Sequence, residues 1–457
     1  MRPPLLRLST ILSALSYALD LTEGHPRGHS ARSCLIGMRL AEVLGLPPAE
    51  RSDLFYALLM KDAGCSSNAA RVYQLFGGDD RIAKHALWLR DWRKVREQAA
   101  YVLECVEPQG RVIDRLKKLA GLALAGSANR RQVFEVRCDR GADIAHAMGF
   151  TPATAAAIRS MDEHWDGGGL PAGLRGEAIP LLARIVGIAQ VAEIFGSQGG
   201  PDAASRVVRE RRGTWFAPEL VSAFAEVQRD TALWAWFGPE AADRADLDEA
   251  VGGVEPQDRV IAGDDARLDA IAAAFAWVID AKSPYTYQHS ERVAEAAVAI
   301  GSALGLDGAA VRELRWAALL HDIGKLSVPN RILDKAGTLT ADEWEVIRLH
   351  PYYTYRILER VPVFGALAFD ASAHHERMDG RGYYRNLTAD GLSRRARILA
   401  VADVFDALAA DRPYRKGMPP ERVGAILREE SGPGLCPDCV GAALDVSDAL
   451  WARRLDA

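Results

Sequence analysis

The chain has 457 residues, which is enough for two or three domains that each bury a core of their own. Its hydrophobic content of 49% and charged content of 26% are typical of a soluble globular protein, and the net charge of −5 excludes a global basic field for nucleic-acid polymers. The six cysteines form no dense framework, which predicts a reducing cytoplasm, and no apolar run approaches the ~20 residues of a membrane span.

The N-terminal segment is apolar over 5–21, a pattern that also begins many export signals. The same segment matches a later part of the chain. LSTIL at 8–12 and GHS at 28–30 correspond to LDAIA at 268–272 and QHS at 288–290. We therefore predict that this segment is the first helix of a repeated domain.

Three further blocks repeat in the same order. ALLMKDAG at 57–64 matches ALLHDIG at 318–324, and DGGGLP at 166–171 matches DGRGYY at 379–384. The apolar stretch 183–195 matches 396–408 in register. This pattern predicts two related domains in tandem.

Leucine, alanine, valine, arginine and glutamate recur at helical spacing, and alternating strand-like runs are absent. We expect helices over 31–44, 111–125, 292–304, 309–320 and 341–358. The predicted fold is all-α, with two tandem helical domains. Their predicted bounds are 1–251 and 268–457, joined by a polar linker over 252–267.

The second copy concentrates potential metal ligands. From Gln228 onward the chain has five histidines, which lie at helix ends or beside acidic residues, and the apolar stretch 398–406 carries Asp403. So many ligands exceed one tetrahedral site but suit two adjacent metal ions, and imidazole with carboxylate favours iron, manganese or zinc. A metal pair points to phosphoester hydrolysis. The predicted ligands are His289, His321, Asp322, His350, His374, His375 and Asp403.

The first copy lacks most of these ligands. His29 and Asp62 are retained, but Lys61 stands at the position of His321 and Arg137 near that of His350. The remaining substitutions are Met161, Asp162 and Gln190. A lysine places a fixed positive charge where a cation would bind, so we predict that the first copy cannot hold the same metal pair. We expect His25, His85, His146 and His164 to be surface or hydrogen-bonded polar residues.

Other polar residues of the second copy favour a phosphate-binding role. Gly324 breaks the helix after His321 and lets Lys325 reach the metals, where it could bind a phosphate oxygen or protonate a leaving group. Asp406 lies three residues after Asp403 on one helical face. The cationic cluster 412–416 is either a solvated helix end or a contact to substrate phosphates. The Cys436–Cys439 pair lacks a second cysteine pair to complete a structural zinc site, so we predict that its spacing is incidental.

Residues 268–445 resemble an HD-GYP domain, a member of the HD-superfamily phosphohydrolases associated with cyclic di-GMP breakdown. The resemblance rests on YQHSERV at 287–293, HDIGK at 321–325, HHERMDGRGY at 374–383 and the segment 403–416. It covers about 40% of the chain by motif, counting only the second copy. The first copy resembles a degenerate domain of the same family.

The resemblance implies that the seven predicted ligands hold two divalent ions, iron or manganese. It assigns catalytic roles to Asp322 and Lys325 and substrate contacts to Asp406, Arg412, Arg415, Gly382 and Tyr383. The implied reaction is hydroxide attack on a 3′–5′ phosphodiester of cyclic di-GMP, giving the linear dinucleotide or GMP.

Two departures from the family pattern bear on this expectation. The Gly-Tyr-Pro of the family name is Gly382-Tyr383-Tyr384 here, and the glutamate of three-metal members is Tyr285. Two metals are therefore expected. The alternatives are a cyclic-dinucleotide receptor with negligible turnover and an HD hydrolase acting on another phosphoester. The first domain is expected to serve regulation or dimerisation, with a homodimer left open, and no membrane partner is expected.

Overall fold

A computed structural model of the protein describes residues 7–91, 94–106, 112–237, 246–257, 264–286, 288–361, 363–411 and 416–456. Across these ranges the regular secondary structure is helical, accompanied by isolated β-bridges such as that between Asp379 and Thr388. The predicted all-α class is confirmed. The chain divides into two compact units, Met1–Ala270 and Ile271–Ala457.

The first unit contains twelve helices and the start of a thirteenth within the described ranges. In chain order they are α1 (Leu8–Glu23), α2 (His29–Val43), α3 (Pro48–Met60), α4 (Ala69–Phe76), α5 (Asp80–Trp88), α6 (Val95–Cys105), α7 (Val112–Ala147), α8 (Pro152–Arg159), α9 (Leu181–Glu210), α10 (Pro218–Gln228), α11 (Thr231–Trp234), α12 (Leu247–Val254) and α13 (Asp265–Asp280). Short 3₁₀ turns lie at Cys65–Asn68 and Gly176–Ala178.

Helix α2 lies at the centre of the first unit and contacts α1, α3, α9, α10 and α12. Helix α1 buries Leu8, Ile11, Leu12, Leu15 and Leu19 completely. Their three-to-four spacing places them on one apolar face of the helix. The N-terminal segment is therefore a packed helix of the first unit, as the repeat predicts.

The second unit continues from α13. Its helices are α14 (His289–Ala303), α15 (Gly308–Leu320), α16 (Asn330–Leu333), α17 (Ala341–Arg348), α18 (His350–Leu358), α19 (Gly365–Ala371), α20 (Arg394–Ala409), α21 (Pro420–Glu430), α22 (Pro437–Asp445) and α23 (Ser447–Asp456), with 3₁₀ turns at Ile323–Ser327 and Ala389–Gly391. Helix α14 packs against α15, α20 and α22.

The single helix predicted over 341–358 is in fact two helices. Helix α17 ends at Arg348, and α18 begins at His350 with Pro351 in its first turn. Proline lacks an amide N–H and is favoured where a helix begins, so Pro351 fits the start of a second helix. The break places His350 at a helix N-terminus.

The two units repeat the same local contacts. Ser30 Oγ donates to Asp20 at 2.8 Å, and Ser290 Oγ donates to Asp280 at 2.7 Å. A Cβ atom on Gly64 would lie 1.9 Å from the carbonyl oxygen of Arg137, just as one on Gly324 would lie 1.9 Å from that of His350. These matched contacts support the pairing of the two copies read from the sequence.

The predicted linker over 252–267 begins too early. Helix α12 continues through Val254, and the next residue, Glu255, is buried. Its carboxylate accepts hydrogen bonds from Ser9 Oγ at 2.7 Å and Tyr56 Oη at 2.6 Å. Because these bonds attach the segment to the first unit, 252–257 belongs to that unit. Residues 258–263 lie outside the described part.

In the described part of the chain, the helices all fall short of the combined length and hydropathy that a bilayer crossing requires.

Candidate metal centre

His289 begins α14 and lies among three carboxylates. Its Nδ1 donates to Asp406 Oδ2 at 2.7 Å, because a carboxylate oxygen can only accept. Its Nε2 lies 3.5 Å from both Asp322 Oδ2 and Asp403 Oδ1. Although burial disfavours the charged ring, these three carboxylates raise the pKa of His289 well above its ordinary value. The negative charge collected here suits a bound cation.

Three more histidines are held in one tautomer by the backbone. In each, Nδ1 lies 2.7 Å from the carbonyl oxygen of the residue three positions earlier. Each Nδ1 is therefore a donor, so in the neutral ring the lone pair that binds a metal is on Nε2. The pairs are His321 with Ala318, His350 with Ile347, and His374 with Ala371.

Asp322 lies between two groups of these histidines. Its Oδ2 is 3.5 Å from His289 Nε2 and 3.4 Å from His321 Nε2. Its Oδ1 is 3.3 Å from His350 Nε2 and 3.6 Å from His374 Nε2. Each carboxylate oxygen thus faces its own pair of imidazoles, so Asp322 could help to hold a cation beside either pair.

Asp403 on α20 has a similar position. Its Oδ1 faces His289 at 3.5 Å and His321 at 3.8 Å, and its Oδ2 lies 3.8 Å from His375 Nδ1. Burial opposes ionisation of Asp403, but the hydrogen bond with His289 and the other histidines hold its pKa well below the ordinary value. The structure therefore brings all seven predicted ligands together.

The donor set fits divalent metal ions. Nε2 of His321 and Oδ1 of Asp322 are buried and have no hydrogen-bond partner among the described residues. Nε2 of His350 and Nε2 of His374 lie only 3.1 Å apart, and in the neutral rings with Nδ1 as donor both carry a lone pair. Burial and the neighbouring histidines lower the pKa of His374 well below its usual value. A cation would bind such facing lone pairs and the buried oxygen that lacks a hydrogen-bond partner. This set of nitrogen and oxygen ligands suits iron, manganese or zinc.

Lys325 reaches the centre from the 3₁₀ turn Ile323–Ser327. Its Nζ lies 2.5 Å from Asp322 Oδ2, and its side chain is 20% exposed, so it is open to both ligands and solvent. Burial raises the pKa of Asp322, but His321 and Lys325 hold it well below its ordinary value. A charged donor beside the Asp322 carboxylate is placed to contact an anionic group that enters the centre.

Comparisons with known proteins agree with this geometry. A family model described as HD domain matches residues 126–219 and 274–434. The 3′3′-cGAMP-specific phosphodiesterase 3 of Vibrio cholerae is 40% identical over 439 residues, which cover 95% of this chain and 93% of that protein. The chain belongs to the HD-domain phosphodiesterases of the HD-GYP type.

Two other comparisons show how far the likeness extends. A crystal structure of a cyclic GMP-AMP-specific phosphodiesterase of V. cholerae covers 97% of this HD-domain protein, with a TM-score of 0.66 and 35% identity. The cyclic di-GMP phosphodiesterase of Thermotoga maritima is 40% identical over 167 residues, which are 36% of this chain and 45% of that protein. Because it belongs to the HD-domain phosphodiesterases, the chain is a metal-dependent phosphohydrolase.

Asp406 is held by two neighbouring side chains. It is fully buried, and its carboxylate binds His289 Nδ1 and Arg292 Nε, each at 2.7 Å. These contacts place Asp406 behind His289, where a carboxylate can orient the imidazole ring. The substrate contact that the resemblance implies for Asp406 stays a prediction.

The other predicted substrate residues differ in what the structure says of them. Arg412 and Arg415 lie outside the described residues. Tyr383 packs its ring on that of His375, with centroids 4.8 Å apart. Gly382 meets the backbone so closely that a Cβ would lie 2.4 Å from the Cα of Glu376. Gly382 therefore allows the loop to pack closely against the backbone beside His375.

In the first unit, two buried cations stand at the equivalent positions. Lys61 Nζ lies 2.8 Å from His29 Nε2 and also bonds the carboxylate of Asp62. Arg137 forms an ion pair with Asp162. Glu193 binds His29 Nδ1 as Asp406 binds that of His289.

One acidic group in the first unit has the spacing of a metal site. Glu23, Asp62 and Cys65 offer ligand atoms within 4.8 Å of one another. Lys84 Nζ lies 3.1 Å from Glu23 Oε1, and Lys61 binds Asp62. The charge of these carboxylates is therefore already balanced by side chains.

Two supporting residues were missed in the sequence. Arg292 holds Asp406, and the Glu376 carboxylate accepts hydrogen bonds from the amides of Arg385 at 2.7 Å and Leu387 at 2.9 Å. A signal was available, because the first copy carries Arg32 and Glu163 at the matching positions although it lacks most ligands. A residue repeated in the copy without ligands indicates a structural role.

Proposed function

We propose that the second unit hydrolyses a phosphodiester bond of a cyclic dinucleotide and releases the linear dinucleotide. The observation that carries the proposal is the position of Asp322 between two histidine groups, with Lys325 beside it. Phosphodiester hydrolysis needs charge neutralisation at both the attacking and the leaving oxygen, and two adjacent cations meet that need. Further cleavage to GMP remains part of the proposal.

The proposed substrate is 3′3′-cyclic GMP-AMP. The relative named for this compound aligns along 95% of the chain, including the first unit. The cyclic di-GMP phosphodiesterase of T. maritima aligns along 36% of it. We retain cyclic di-GMP as the second candidate because that shorter alignment has the same 40% identity.

We infer that two divalent ions, iron or manganese, occupy the two histidine groups. One would be held by His289, His321 and the Oδ2 of Asp322, and the other by His350, His374 and His375. Such ions would supply Lewis acidity toward a phosphoryl oxygen and would lower the pKa of a water. Asp322 and Asp403 would span both positions.

The groups around the proposed ions would orient the ligands and contact the substrate phosphate. The carbonyls behind His321, His350 and His374 fix each ring in its metal-binding tautomer, and Asp406 does so for His289. Lys325, 2.5 Å from Asp322, would bind a non-bridging phosphate oxygen or donate a proton to the leaving 3′ oxygen.

We further infer that the first unit holds no metal pair and serves regulation or dimerisation. This inference is supported by Lys61 and Arg137, whose fixed charges stand at the positions of His321 and His350. A cation bound beside Lys61 would be repelled at short range in a buried site. Elemental analysis of His321→Ala/His350→Ala protein, which lacks one imidazole of each second-unit group, tests this, because we expect that variant to retain little metal if the first unit binds none.

The deciding experiment combines metal analysis with turnover. Protein purified without oxygen is assayed for metal content and for release of the linear dinucleotide from cyclic GMP-AMP and cyclic di-GMP. We expect about two iron or manganese ions per chain. We also expect His321→Ala and Asp322→Ala to lower turnover at least ~1000-fold while the helical circular dichroism is kept.

The matched control is Asp62→Asn, which changes the equivalent carboxylate of the first unit and should leave turnover unchanged. Full activity in both second-unit variants would overturn the proposal. Two metals with tight binding of a cyclic dinucleotide but no product over hours would instead favour the receptor alternative.

A further inference from the structure

An open groove of about 510 Å³ lies beside the metal centre in the second unit. One wall is formed by Glu345, Arg348 and Leu349, at the end of α17 and just beyond it. A second wall is formed by Tyr383 and Tyr384, with Arg381 and Asn386 from the same loop. A groove of this volume is in the range that accepts a nucleotide-sized ligand.

The groove is connected to the metal centre by direct contacts. Tyr383 packs on His375 with ring centroids 4.8 Å apart, and its amide donates to the carbonyl of His375 at 3.2 Å. On the other wall, Arg348 precedes the ligand His350 by two residues. A phosphodiester at the metals would therefore have one of its nucleosides beside this groove.

Glu345 and Arg348 both lie exposed on helix α17. Helix α17 buries none of its residues, and it is held at its start by the capping box of Thr340 and Glu343. The Arg348 guanidinium lies 5.6 Å from the centroid of the Tyr383 ring. In the described part of the chain, neither Glu345 nor Arg348 forms an ion pair. Their three-residue spacing places both on one face of the helix, toward the groove they line.

The groove also offers apolar surface for a base to cover. Leu349 is 46% exposed, although leucine is usually buried, and Tyr384 is half-buried. Tyr384 stands where the family has proline, which adds an aromatic ring to this wall. Aromatic side chains bind nucleobases by stacking, whichever base is present.

The charged pair selects among bases. Guanine presents O6 and N7 as acceptors, which arginine binds in bidentate fashion. Guanine also presents N1–H and an N2 amine as donors, which suit a carboxylate. Adenine has an amine in place of O6 and no N2 amine, so it would meet Arg348 with a donor and Glu345 with fewer donors.

We propose that this groove is a guanine-binding subsite, with Arg348 donating to O6 and N7 and Glu345 accepting from N1–H and the N2 amine. The proposal rests on the proposed cyclic-dinucleotide function and narrows it. The enzyme requires at least one guanine in its substrate, so that cyclic GMP-AMP and cyclic di-GMP are accepted and cyclic di-AMP is disfavoured.

The test measures kcat and KM for these three compounds on metal-loaded protein. We expect wild-type kcat/KM for cyclic di-AMP to be lower by about tenfold or more. Arg348→Ala should raise KM for both guanine compounds about tenfold, with kcat changed less than about threefold. Glu345→Gln should narrow the preference for guanine, because an amide presents one acceptor and one donor.

The matched control is Arg356→Ala on α18, which removes an exposed arginine that forms an ion pair with Glu359 at 3.1 Å. It should keep both the KM values and the preference. A preference for guanine that is unchanged in both groove variants would overturn the subsite, as would equal wild-type use of cyclic di-AMP.

The subsite and the proposed function fail in different ways. If wild-type protein hydrolyses none of the three compounds, the proposed function is wrong. The affinity for each compound is then measured by equilibrium binding, because nothing consumes the ligand. Tighter binding of the guanine compounds that Glu345→Gln and Arg348→Ala abolish would then still support the subsite. Absence of binding would overturn it as well.

Discussion

Asp406 controls which nitrogen of His289 faces the metal centre. By accepting the Nδ1 hydrogen at 2.7 Å it leaves Nε2 for a metal, and Arg292 neutralises its buried charge. Asp406→Asn keeps the size of the side chain but removes that charge. We expect metal affinity to fall about 10–100-fold, because outer partners of a ligating histidine tune its basicity. Titration of metal-free protein with manganese measures the change.

The control for this substitution is Asp445→Asn, at an exposed position on α22. It should bind metal as the wild type does. If Asp406→Asn instead keeps full metal affinity and raises only KM, Asp406 acts on the substrate, which is the role predicted for it from sequence.

Glu193 is the equivalent residue of the first unit, and its ionisation contributes stability. Burial opposes that ionisation, but His29, Arg32 and Ser197 lower the pKa of Glu193 to about 2. A lowered pKa stabilises the fold above the ordinary value near 4.5 and loses that effect as the pH falls toward 2. Glu193→Gln should cost about 3–5 kcal/mol at pH 7, since it leaves buried cations unpaired.

The pH dependence distinguishes this cause from simple loss of packing. Below pH 4.5 the difference between wild type and Glu193→Gln should narrow by about 1.4 kcal/mol per pH unit. Urea unfolding at pH 7 and pH 3.5 measures it, with the exposed Glu226→Gln as control. A difference that is the same at both pH values would contradict the assigned role of the charge.

Residues of one site could be predicted from the sequence where they lie close together in a single motif. His321, Asp322 and Lys325 lie within five residues, and their grouping survives in the structure. The partner of His289 could not be read in this way, because Asp406 is 117 residues away. Spacing alone could not decide whether that carboxylate faces the metals, the substrate or a ligand.

At the scale of the elements, one close backbone contact sets the position of two ligands. The 3₁₀ turn after His321 packs against the start of α18, where a Cβ on Gly324 would lie 1.9 Å from His350 O and 2.7 Å from Thr354 N. We expect Gly324→Ala to destabilise the protein by about 1–3 kcal/mol or more and to lower metal content, because the two elements must separate. Thermal unfolding and elemental analysis measure the two effects.

Two other glycines serve as comparisons. Gly64→Ala repeats the same clash in the first unit, 1.9 Å from Arg137 O, and should destabilise without removing metal. Gly441→Ala in α22 meets no neighbour within 4 Å and should stabilise by up to about 1 kcal/mol. Unchanged metal content in Gly324→Ala would show that this contact does not position the ligands.

The helices themselves were predictable except where a tertiary requirement breaks them. Apolar spacing over 341–358 favours one helix, yet the chain stops at Arg348 and restarts at His350. Pro351 was the available signal, and the restart is what places the His350 ring near His374. The linker was misjudged for a related reason, since the burial of Glu255 depends on Ser9 and Tyr56, far away in sequence.

At the scale of the whole chain, the two units solve one electrostatic problem in two ways. Both bury a histidine, an aspartate and a carboxylate behind the histidine at matching positions. In the first unit the compensating positive charge is carried by the side chains of Lys61 and Arg137. In the second unit the matching positions are His321 and His350, which carry no permanent charge, so we expect bound ions to supply the charge that Lys325 and Arg292 leave uncompensated. The repeat was visible in the sequence, whereas this exchange of charges required the contacts.

This difference predicts that removing metal loosens one unit only. A ligand at 100 times its Kd stabilises a fold by about 2.7 kcal/mol, which corresponds to roughly hundredfold faster amide exchange through openings of the site once it is removed. After chelation we expect such acceleration in Ile323–Ser327, α18 and α20, and none in Cys65–Asn68 or α2. Hydrogen-exchange mass spectrometry of the whole protein measures both units in one sample. In His321→Ala protein, which lacks one ligand, the first unit should exchange equally with and without chelator. If its first unit still responded, that unit would hold divalent ions of its own, and Lys61 and Arg137 would not be their substitutes.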